Sequence, residues 1–158
     1  MTRTLPLRSA LVVLLASLAV APVASARMDN AARLQMVWPA NGTVTSHFGE
    51  WRGRHRHDGI DIGMLRALRV RAVTKGVVRS SGYLSSYEGY GLVVILDLPG
   101  PYAALYAHLE SVAVTPGQHV RKGQPIGLAG CTGSCSGTHL HFEVQRAGVP
   151  VNPLPFLG

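Results

Sequence analysis

The chain has 158 residues and a formal charge of +7, from 15 basic and 8 acidic side chains. This length predicts one domain and leaves no room for a separate targeting domain beside a full core. The positive charge favours contact with anionic surfaces such as a bacterial envelope, and it fits equally well a basic protein with no polyanionic partner. Because the basic residues are scattered and no aromatic-rich motif accompanies them, nucleic acid is not an expected partner.

The first 26 residues have the pattern of a secretory signal peptide. Arg3 and Arg8 form a basic start, residues 10–20 are apolar, and Ala24-Ser25-Ala26 offers a cleavage site. The apolar run is too short to span a bilayer, so we expect cleavage and no stable membrane insertion, with an uncleaved anchor as the alternative. The mature protein would be secreted, and periplasmic or associated with the cell wall. We divide it into a flexible segment, residues 27–36, and a domain, residues 37–158.

The mature region is typical of a turn-rich β-protein. Runs of β-branched residues alternate with glycine, and the 18 glycines and 10 prolines of the chain suit an antiparallel sheet better than a helical bundle. Only Leu109–Val112 resembles a helical turn. We predict one all-β, mainly antiparallel, monomeric domain with strands at Thr43–His47, Gly59–Ile62, Arg69–Ala72, Gly76–Ser80, Leu92–Leu96, Ala103–His108, His119–Val120, Pro125–Ala129 and His139–Gln145.

The chain has two cysteines, Cys131 and Cys135, in a loop rich in glycine and serine. Export would permit a disulfide, and the small residues between the two cysteines permit a tight loop. We favour a local disulfide over free thiols or a metal site. Such a small closed loop contributes little to global stability, but it would stiffen the segment just before His139.

The most informative motif is His-Leu-His at residues 139–141. Side chains alternate between the faces of a strand, so His139 and His141 point the same way while their apolar neighbours point to the other face. His57 and Asp61, far upstream, also share a face by strand parity. Two imidazoles and a carboxylate form a catalytic zinc ligand set with a fourth position open for water. The motif therefore predicts a zinc hydrolase.

Other polar residues carry weaker signals. We interpret Glu143 as a solvated or ion-paired side chain, since the helical His-Glu-x-x-His motif is missing from the sequence. His108, taken alone, is typical of a hydrogen-bonded structural histidine at a strand end. His55 forms a His-x-His pair with His57 and is a rival metal ligand, although it lies in a stretch with Arg52, Arg54 and Arg56 that we expect to be a solvated loop. His47 and His119 are weaker still.

Taken together, the motifs resemble those of the lysostaphin-type zinc metallopeptidases, also called LytM-domain peptidoglycan endopeptidases. The matching stretches follow the order and spacing of that family from Trp38 to Leu154. They are Trp38-Pro39, residues 45–49 (TSHFG), 57–62 (HDGIDI), 106–109 (YAHL), 116–118 (PGQ), 122–127 (KGQPIG) and 137–144 (GTHLHFEV).

This resemblance implies an antiparallel sheet of the duplicated hybrid motif type, with a metal in a groove across it. It implies one Zn2+ per chain, held by His57, Asp61 and His141, and it assigns His108 and His139 to catalysis. Zinc chemistry needs a group that takes a proton from water and a group that interacts with the tetrahedral intermediate. We expect His139 to be the general base and His108 the second group, with the reverse assignment open.

The resemblance also implies the function: a secreted zinc metalloendopeptidase that cuts peptide cross-links or stem peptides of bacterial peptidoglycan. The alternative is a non-catalytic domain that binds the cell wall or activates an amidase. Such members lose ligands or catalytic histidines, as the family implies, whereas all five positions are filled here. A third possibility is zinc capture without catalysis.

Three departures from the family pattern affect the loops and leave the metal site intact. Leu65-Arg66-Ala67 replaces a Pro-x-Gly turn, Thr138 replaces a frequent proline, and Leu98 stands where histidine is common. These departures concern the shape of the loops and the substrate preference.

Overall fold

The computed structural model describes residues 34–158. The predicted signal peptide and residues 27–33 lie outside the described residues. Within the described part, no helix is long and apolar enough to cross a membrane. The strands are β1 (Asn41–Ser46), β2 (Ile60–Ala67), β3 (Arg69–Arg71), β4 (Gly76–Tyr83), β5 (Leu92–Asp97), β6 (Tyr102–Val112), β7 (His119–Val120), β8 (Pro125–Ala129), β9 (Leu140–Arg146) and β10 (Val149–Val151), with short 3-10 helices at Ser85–Tyr87 and Leu154–Phe156.

These strands form one ten-stranded sheet in which every pairing is antiparallel. The order is β1-β2-β9-β6-β5-β4-β7, with β10 on β9 and with β8 joining β6 to β3. The prediction of an all-β, mainly antiparallel domain is confirmed. Strands β2, β9 and β6 are neighbours, so residues 80 positions apart in sequence meet at the middle of the sheet.

One local prediction was wrong, and one strand was not predicted. Leu109–Val112, expected as a helical turn, continues β6, because Leu109 pairs with Ala129 and Val112 with Gly127 on β8. Strand β10 was missed; it follows a two-residue turn in which Ala147 and Gly148 both have positive φ. Alanine is uncommon at the first position of such a turn, so only Gly148 indicates a hairpin in the sequence.

The main core lies on one face of the sheet. Ile60, Ile62, Leu140 and Phe142 alternate along β2 and β9 and are fully buried. Tyr106 on β6 packs against Phe142 with ring centroids 5.3 Å apart, and its hydroxyl accepts a hydrogen bond of 3.0 Å from the backbone N–H of Val73. In these parts of β2 and β9, every second side chain therefore faces this core.

The packed domain begins earlier than the predicted boundary at residue 37. Leu34 and Met36 are buried in the main core, and the Met36 N–H donates a 2.8 Å hydrogen bond to the Phe156 carbonyl. Residues 34–36 therefore pack with the domain, ahead of the boundary predicted at residue 37.

A smaller apolar cluster lies on the opposite face of the sheet. Val93, Ile95, Leu105 and Ala107 form it, and Tyr90 covers part of it. His141 pairs with Ala107 across β9 and β6. The polar side chains of the central strands therefore emerge beside this cluster, on the face away from the main core.

Truncating the core aromatic should destabilise the domain strongly. We expect Phe142→Ala to lower the free energy of unfolding by about 3–5 kcal/mol, since it removes a fully buried ring from a packed interior. Denaturant unfolding measures this. Met64→Ala, at a side chain that is 78% exposed, is the matched control and should change it by less than about 0.5 kcal/mol. Equal losses in the two variants would contradict the assigned core.

Candidate metal centre

Three side chains meet where β2 pairs with β9. Asp61 lies directly opposite His141 in the register of the two strands, and His57 comes from the segment just before β2. Asp61 Oδ1 is 3.0 Å from His141 Nδ1 and 3.2 Å from His57 Nε2, and these two nitrogens are 3.0 Å apart. All three residues are buried. The structure therefore brings together the three predicted metal ligands.

The hydrogen bonds behind these side chains fix which nitrogen faces inward. His57 Nδ1 lies 2.9 Å from the His47 carbonyl oxygen, and His141 Nε2 lies 3.1 Å from Glu143 Oε1. Both partners only accept, so these ring nitrogens carry the protons. In the neutral imidazoles, His57 Nε2 and His141 Nδ1 then present lone pairs toward Asp61 Oδ1. Three acceptors that converge at one point repel each other unless a cation or a proton lies among them.

The donor set fits zinc. Ligand atoms at about 2.0–2.1 Å from a tetrahedral zinc are about 3.3 Å apart, close to the separations found here. Two imidazoles and one carboxylate leave a fourth position free, which is the pattern of catalytic rather than structural zinc sites. Within residues 34–158, His57, Asp61 and His141 are the one group of histidine, cysteine and acidic side chains that could hold a metal.

Glu143 belongs to this site. It is 2% exposed, and Tyr90 Oη and Gln145 Nε2 donate hydrogen bonds of 2.7 and 2.8 Å to its carboxylate. Burial raises the pKa of Glu143, but the hydrogen bonds from His141, Gln145 and Tyr90 outweigh it and hold the pKa below its usual range. The solvated alternative was therefore wrong, and the ion-paired one describes its contact with His141. Strand parity with His141 was the available signal.

Arg52 lies in the exposed stretch that was predicted as a solvated loop, yet its guanidinium contacts the site. Its Nη2 donates hydrogen bonds of 2.6 Å both to Asp61 Oδ2 and to Ser46 Oγ. Burial raises the pKa of Asp61, yet hydrogen bonds from His141, His57 and Arg52 prevail and hold that pKa far below its usual range. Asp61 is thus a carboxylate whose Oδ2 is bound by Arg52 and whose Oδ1 faces His57 and His141. Nothing in the sequence pattern identifies this pairing.

The two predicted catalytic histidines lie beside the cluster. Their rings are 4.8 Å apart, and His139 Nε2 is 3.8 Å from Asp61 Oδ1. His108 Nδ1 bonds the Thr132 carbonyl at 2.8 Å, and His139 Nδ1 bonds the Gly137 carbonyl at 2.7 Å. Burial lowers the pKa of His108 more than the bond to Thr132 raises it, so this imidazole is neutral at neutral pH.

His108 reaches the site through a break in the alternation of β6. Tyr106 and Leu109 both face the main core, whereas Ala107 faces the opposite side. His108 has φ of 59°, a left-handed conformation that is uncommon for residues other than glycine. Because of this one residue, Leu109 again faces the main core, and the side chain of His108 lies in the groove. Simple parity would have placed His108 in the core.

All five predicted site residues line one groove of about 390 Å³, so the structure gathers them in a single place. His55 lines the same groove but is exposed and outside the cluster. His47 is exposed and pairs with Glu50, and His119 is exposed on β7. Cys131 and Cys135 form a disulfide, as the sequence predicted, and Cys135 also lines the groove.

Comparison with known proteins finds a matching family and related sequences. The family model described as Peptidase family M23 matches residues 55–153. The murein hydrolase activator EnvC of Escherichia coli K12 is 38% identical over 129 residues, which cover 81% of this chain and 30% of EnvC. The murein hydrolase activator NlpD of Salmonella typhimurium is 35% identical over 136 residues, covering 86% of this chain and 35% of NlpD. The chain thus spans about a third of the length of these curated relatives.

Solved structures share the fold. A zinc-containing peptidase from Vibrio cholerae superposes with a TM-score of 0.65 at 31% identity, covering 77% of this chain and 38% of that one. The antimicrobial peptidase lysostaphin from Staphylococcus simulans gives a TM-score of 0.67 at 26% identity, covering 78% and 53%. The resemblance to the lysostaphin-type peptidases is therefore confirmed.

Glu143 should matter for metal affinity although it is not a ligand. We expect Glu143→Gln to weaken Zn2+ binding about 10–100-fold, because the neutral amide is a poorer acceptor for His141 Nε2–H. Competition with a chromogenic chelator measures the affinity. Glu88→Gln, at an exposed carboxylate on the rim of the same groove, is the matched control and should bind as the parent does. Equal affinities for all three proteins would contradict the role of Glu143.

Metal binding should also depend on pH. Burial lowers the pKa of His141, but its hydrogen bonds with Asp61 and Glu143 prevail and raise it above the usual histidine value. A metal ion must displace that proton, so the apparent Zn2+ affinity should fall as the pH drops through the raised pKa and level off above it. The same competition assay between about pH 5.5 and 8.5 measures this. A flat profile would show that no proton competes at this site.

Proposed function

Because the chain belongs to peptidase family M23, we propose that it is a zinc metalloendopeptidase that hydrolyses peptide bonds in the cross-links or stem peptides of peptidoglycan. We propose a secreted protein, located in the periplasm or at the cell wall, that carries one Zn2+ on His57, Asp61 and His141. The predicted signal peptide and the positive charge agree with this location.

The observation that carries the proposal is the convergence of two kinds of group in one groove. The metal cluster has three donors and an open side, and two further imidazoles, His108 and His139, flank it without belonging to it. A closed structural zinc site would need a fourth protein ligand and no such flanking pair. The same reasoning argues against zinc capture without catalysis.

The chemistry that a bound Zn2+ supplies is Lewis acidity toward a carbonyl oxygen and a lowered pKa of water. His139 supports hydrolysis by accepting a proton from that water at Nε2, since its Nδ1 is committed to the Gly137 carbonyl. His139 Nε2 lies 3.8 Å from Asp61 Oδ1, on the side of the cluster that faces the groove. His108 is also held through Nδ1, so its Nε2 is the atom that contacts the reacting carbonyl or the leaving amine.

The second candidate is an activator of another cell-wall hydrolase. EnvC and NlpD, both called murein hydrolase activators, favour it, and by relatives alone it is the better-supported function. It requires no chemistry from His108 or His139. Their retention beside a complete ligand set favours catalysis here, because the family resemblance implies that non-catalytic members lose such residues.

Zymography on purified cell walls separates the two candidates. We expect the mature protein to clear the wall alone, with activity lost in a chelator and restored by Zn2+. His141→Ala should lose both zinc and lysis, whereas His108→Ala should keep one zinc per chain and lose lysis about 100-fold or more. His119→Ala, at an exposed histidine on β7, is the matched control and should be fully active.

Two outcomes would overturn the proposal. A His141→Ala variant with full lytic activity would remove the metal from the mechanism. A parent protein that is inactive alone but stimulates a purified murein amidase, with or without His108, would establish the activator function. Mass spectrometry of the released fragments then assigns the bond that is cut.

A further inference from the structure

We propose that the disulfide loop, residues 130–138 with the Cys131–Cys135 cross-link, is the element that positions both His108 and His139, while the metal cluster is held independently of it. The inference rests on the proposed function for its catalytic consequence, although the positioning itself can be tested without it. Opening the cross-link should therefore lower turnover without releasing the metal.

The loop holds His108 from both sides. The Thr132 carbonyl accepts the His108 Nδ1–H at 2.8 Å, and the Gly130 N–H donates to the His108 carbonyl at 3.0 Å. Thr132 is itself fixed, because its Oγ1 donates to the Leu109 carbonyl at 2.8 Å and accepts the Leu92 N–H at 2.9 Å. The ring of His108 thus takes its orientation from one residue inside the closed loop.

The same loop holds His139. The Gly137 carbonyl bonds His139 Nδ1 at 2.7 Å, and the His139 N–H donates to the Gly130 carbonyl at 3.1 Å. Cys135 Sγ lies 3.8 Å from His139 Nδ1 and accepts the Gly137 N–H at 3.4 Å. A sulfur of the disulfide is therefore in contact with both the histidine and the residue that orients it.

The cross-link and a few hydrogen bonds fix this loop: those of Thr132 Oγ1 and one of 2.7 Å from the Ser134 N–H to the Gly89 carbonyl. None of residues 131–138 is buried, and only Thr132 and Cys135 are half-buried. Gly133, with φ of 73°, approaches the 89–91 segment so closely that an added Cβ would lie 2.4 Å from the Gly89 carbonyl oxygen. Without apolar side chains to pack, the loop depends on the disulfide and a few backbone hydrogen bonds for its conformation.

The metal ligands take their orientation elsewhere. His57 is held by the His47 carbonyl, His141 by Glu143, and Asp61 by Arg52. These partners lie on β9 or in the 47–57 segment, and none belongs to the disulfide loop. Opening the loop should therefore leave the three donors in place.

Reduction by a dithiol such as dithiothreitol opens the loop. Its thiolate attacks one sulfur of the Cys131–Cys135 bond to form a mixed disulfide, and its second thiol closes on the first. Two electrons pass to the protein, which gains two thiols, and the reagent leaves as a cyclic disulfide. Cys131 is exposed, so the reagent has access. Cys131→Ser/Cys135→Ser gives the open loop permanently, without a reductant.

Long-range proton–nitrogen NMR of the imidazoles tests the positioning directly. In the oxidised apoprotein we expect His108 and His139 each to show one neutral tautomer, protonated at Nδ1. In the double serine variant both should show averaged tautomers, whereas the signals of His57 and His141 should match those of the parent. Unchanged His108 and His139 signals in a folded variant would overturn the proposal, whether or not the protein hydrolyses cell walls.

Kinetics supply the second readout. In the double serine variant, zinc content should stay at one per chain and kcat should fall about 100-fold, with KM changed less than about threefold. Thr132→Val should also lower kcat because it removes the Oγ1 hydrogen bonds. Thr132→Ser keeps the hydroxyl and should have the kcat of the parent. Thr115→Val, in the exposed turn before β7, is the matched control.

The kinetic outcomes are distinguishable from those of the proposed function. Turnover that is unaffected in the double serine variant would overturn the catalytic consequence. An oxidised parent without turnover would overturn the proposed function, and the NMR result would still decide the positioning role.

Discussion

The pairing of β2 with β9 is the constraint on which the rest of the site depends. It places a carboxylate and an imidazole on facing positions of neighbouring strands, and the third ligand follows because its segment leads directly into β2. Three lone pairs within about 3 Å of each other are unfavourable unless a cation or a proton lies among them, and the apolar residues on the reverse face hold the strands in this register. The core that stabilises the sheet therefore also assembles the metal centre.

The site is built in two layers with different supports. His141 is oriented by the buried Glu143 on β9, whereas His57 and Asp61 are oriented by the exposed residues His47 and Arg52 of the segment before β2; such partners tune a metal site. The flanking histidines are oriented by backbone carbonyls of an exposed loop. The ligands and the flanking histidines therefore depend on different parts of the chain for their orientation.

Strand periodicity explains why the fold and most of the ligand set were predictable. His139 and His141 had to share a face, and the β-branched runs indicated where strands would form. The prediction failed where a residue leaves the period of two. The helical turn predicted at Leu109–Val112 follows the residue, His108, at which β6 shifts its phase. Arg52 acts through a contact between segments that no local pattern records, whereas the parity of Glu143 with His141 is visible in the sequence but its burial is not. The assignment of His108 came from family resemblance, which carries information about the tertiary structure that periodicity lacks.

The left-handed backbone of His108 also bears on how this scaffold changes over evolutionary time. An L-residue in that conformation costs about 1–2 kcal/mol, and glycine avoids most of that cost. Replacing the histidine by glycine would thus relax the backbone of β6 and leave the three metal ligands untouched. The histidine thus carries a backbone cost that glycine would not, and its bond to the Thr132 carbonyl offsets part of that cost. A single substitution at this position would change the groove while leaving the three-donor cluster in place.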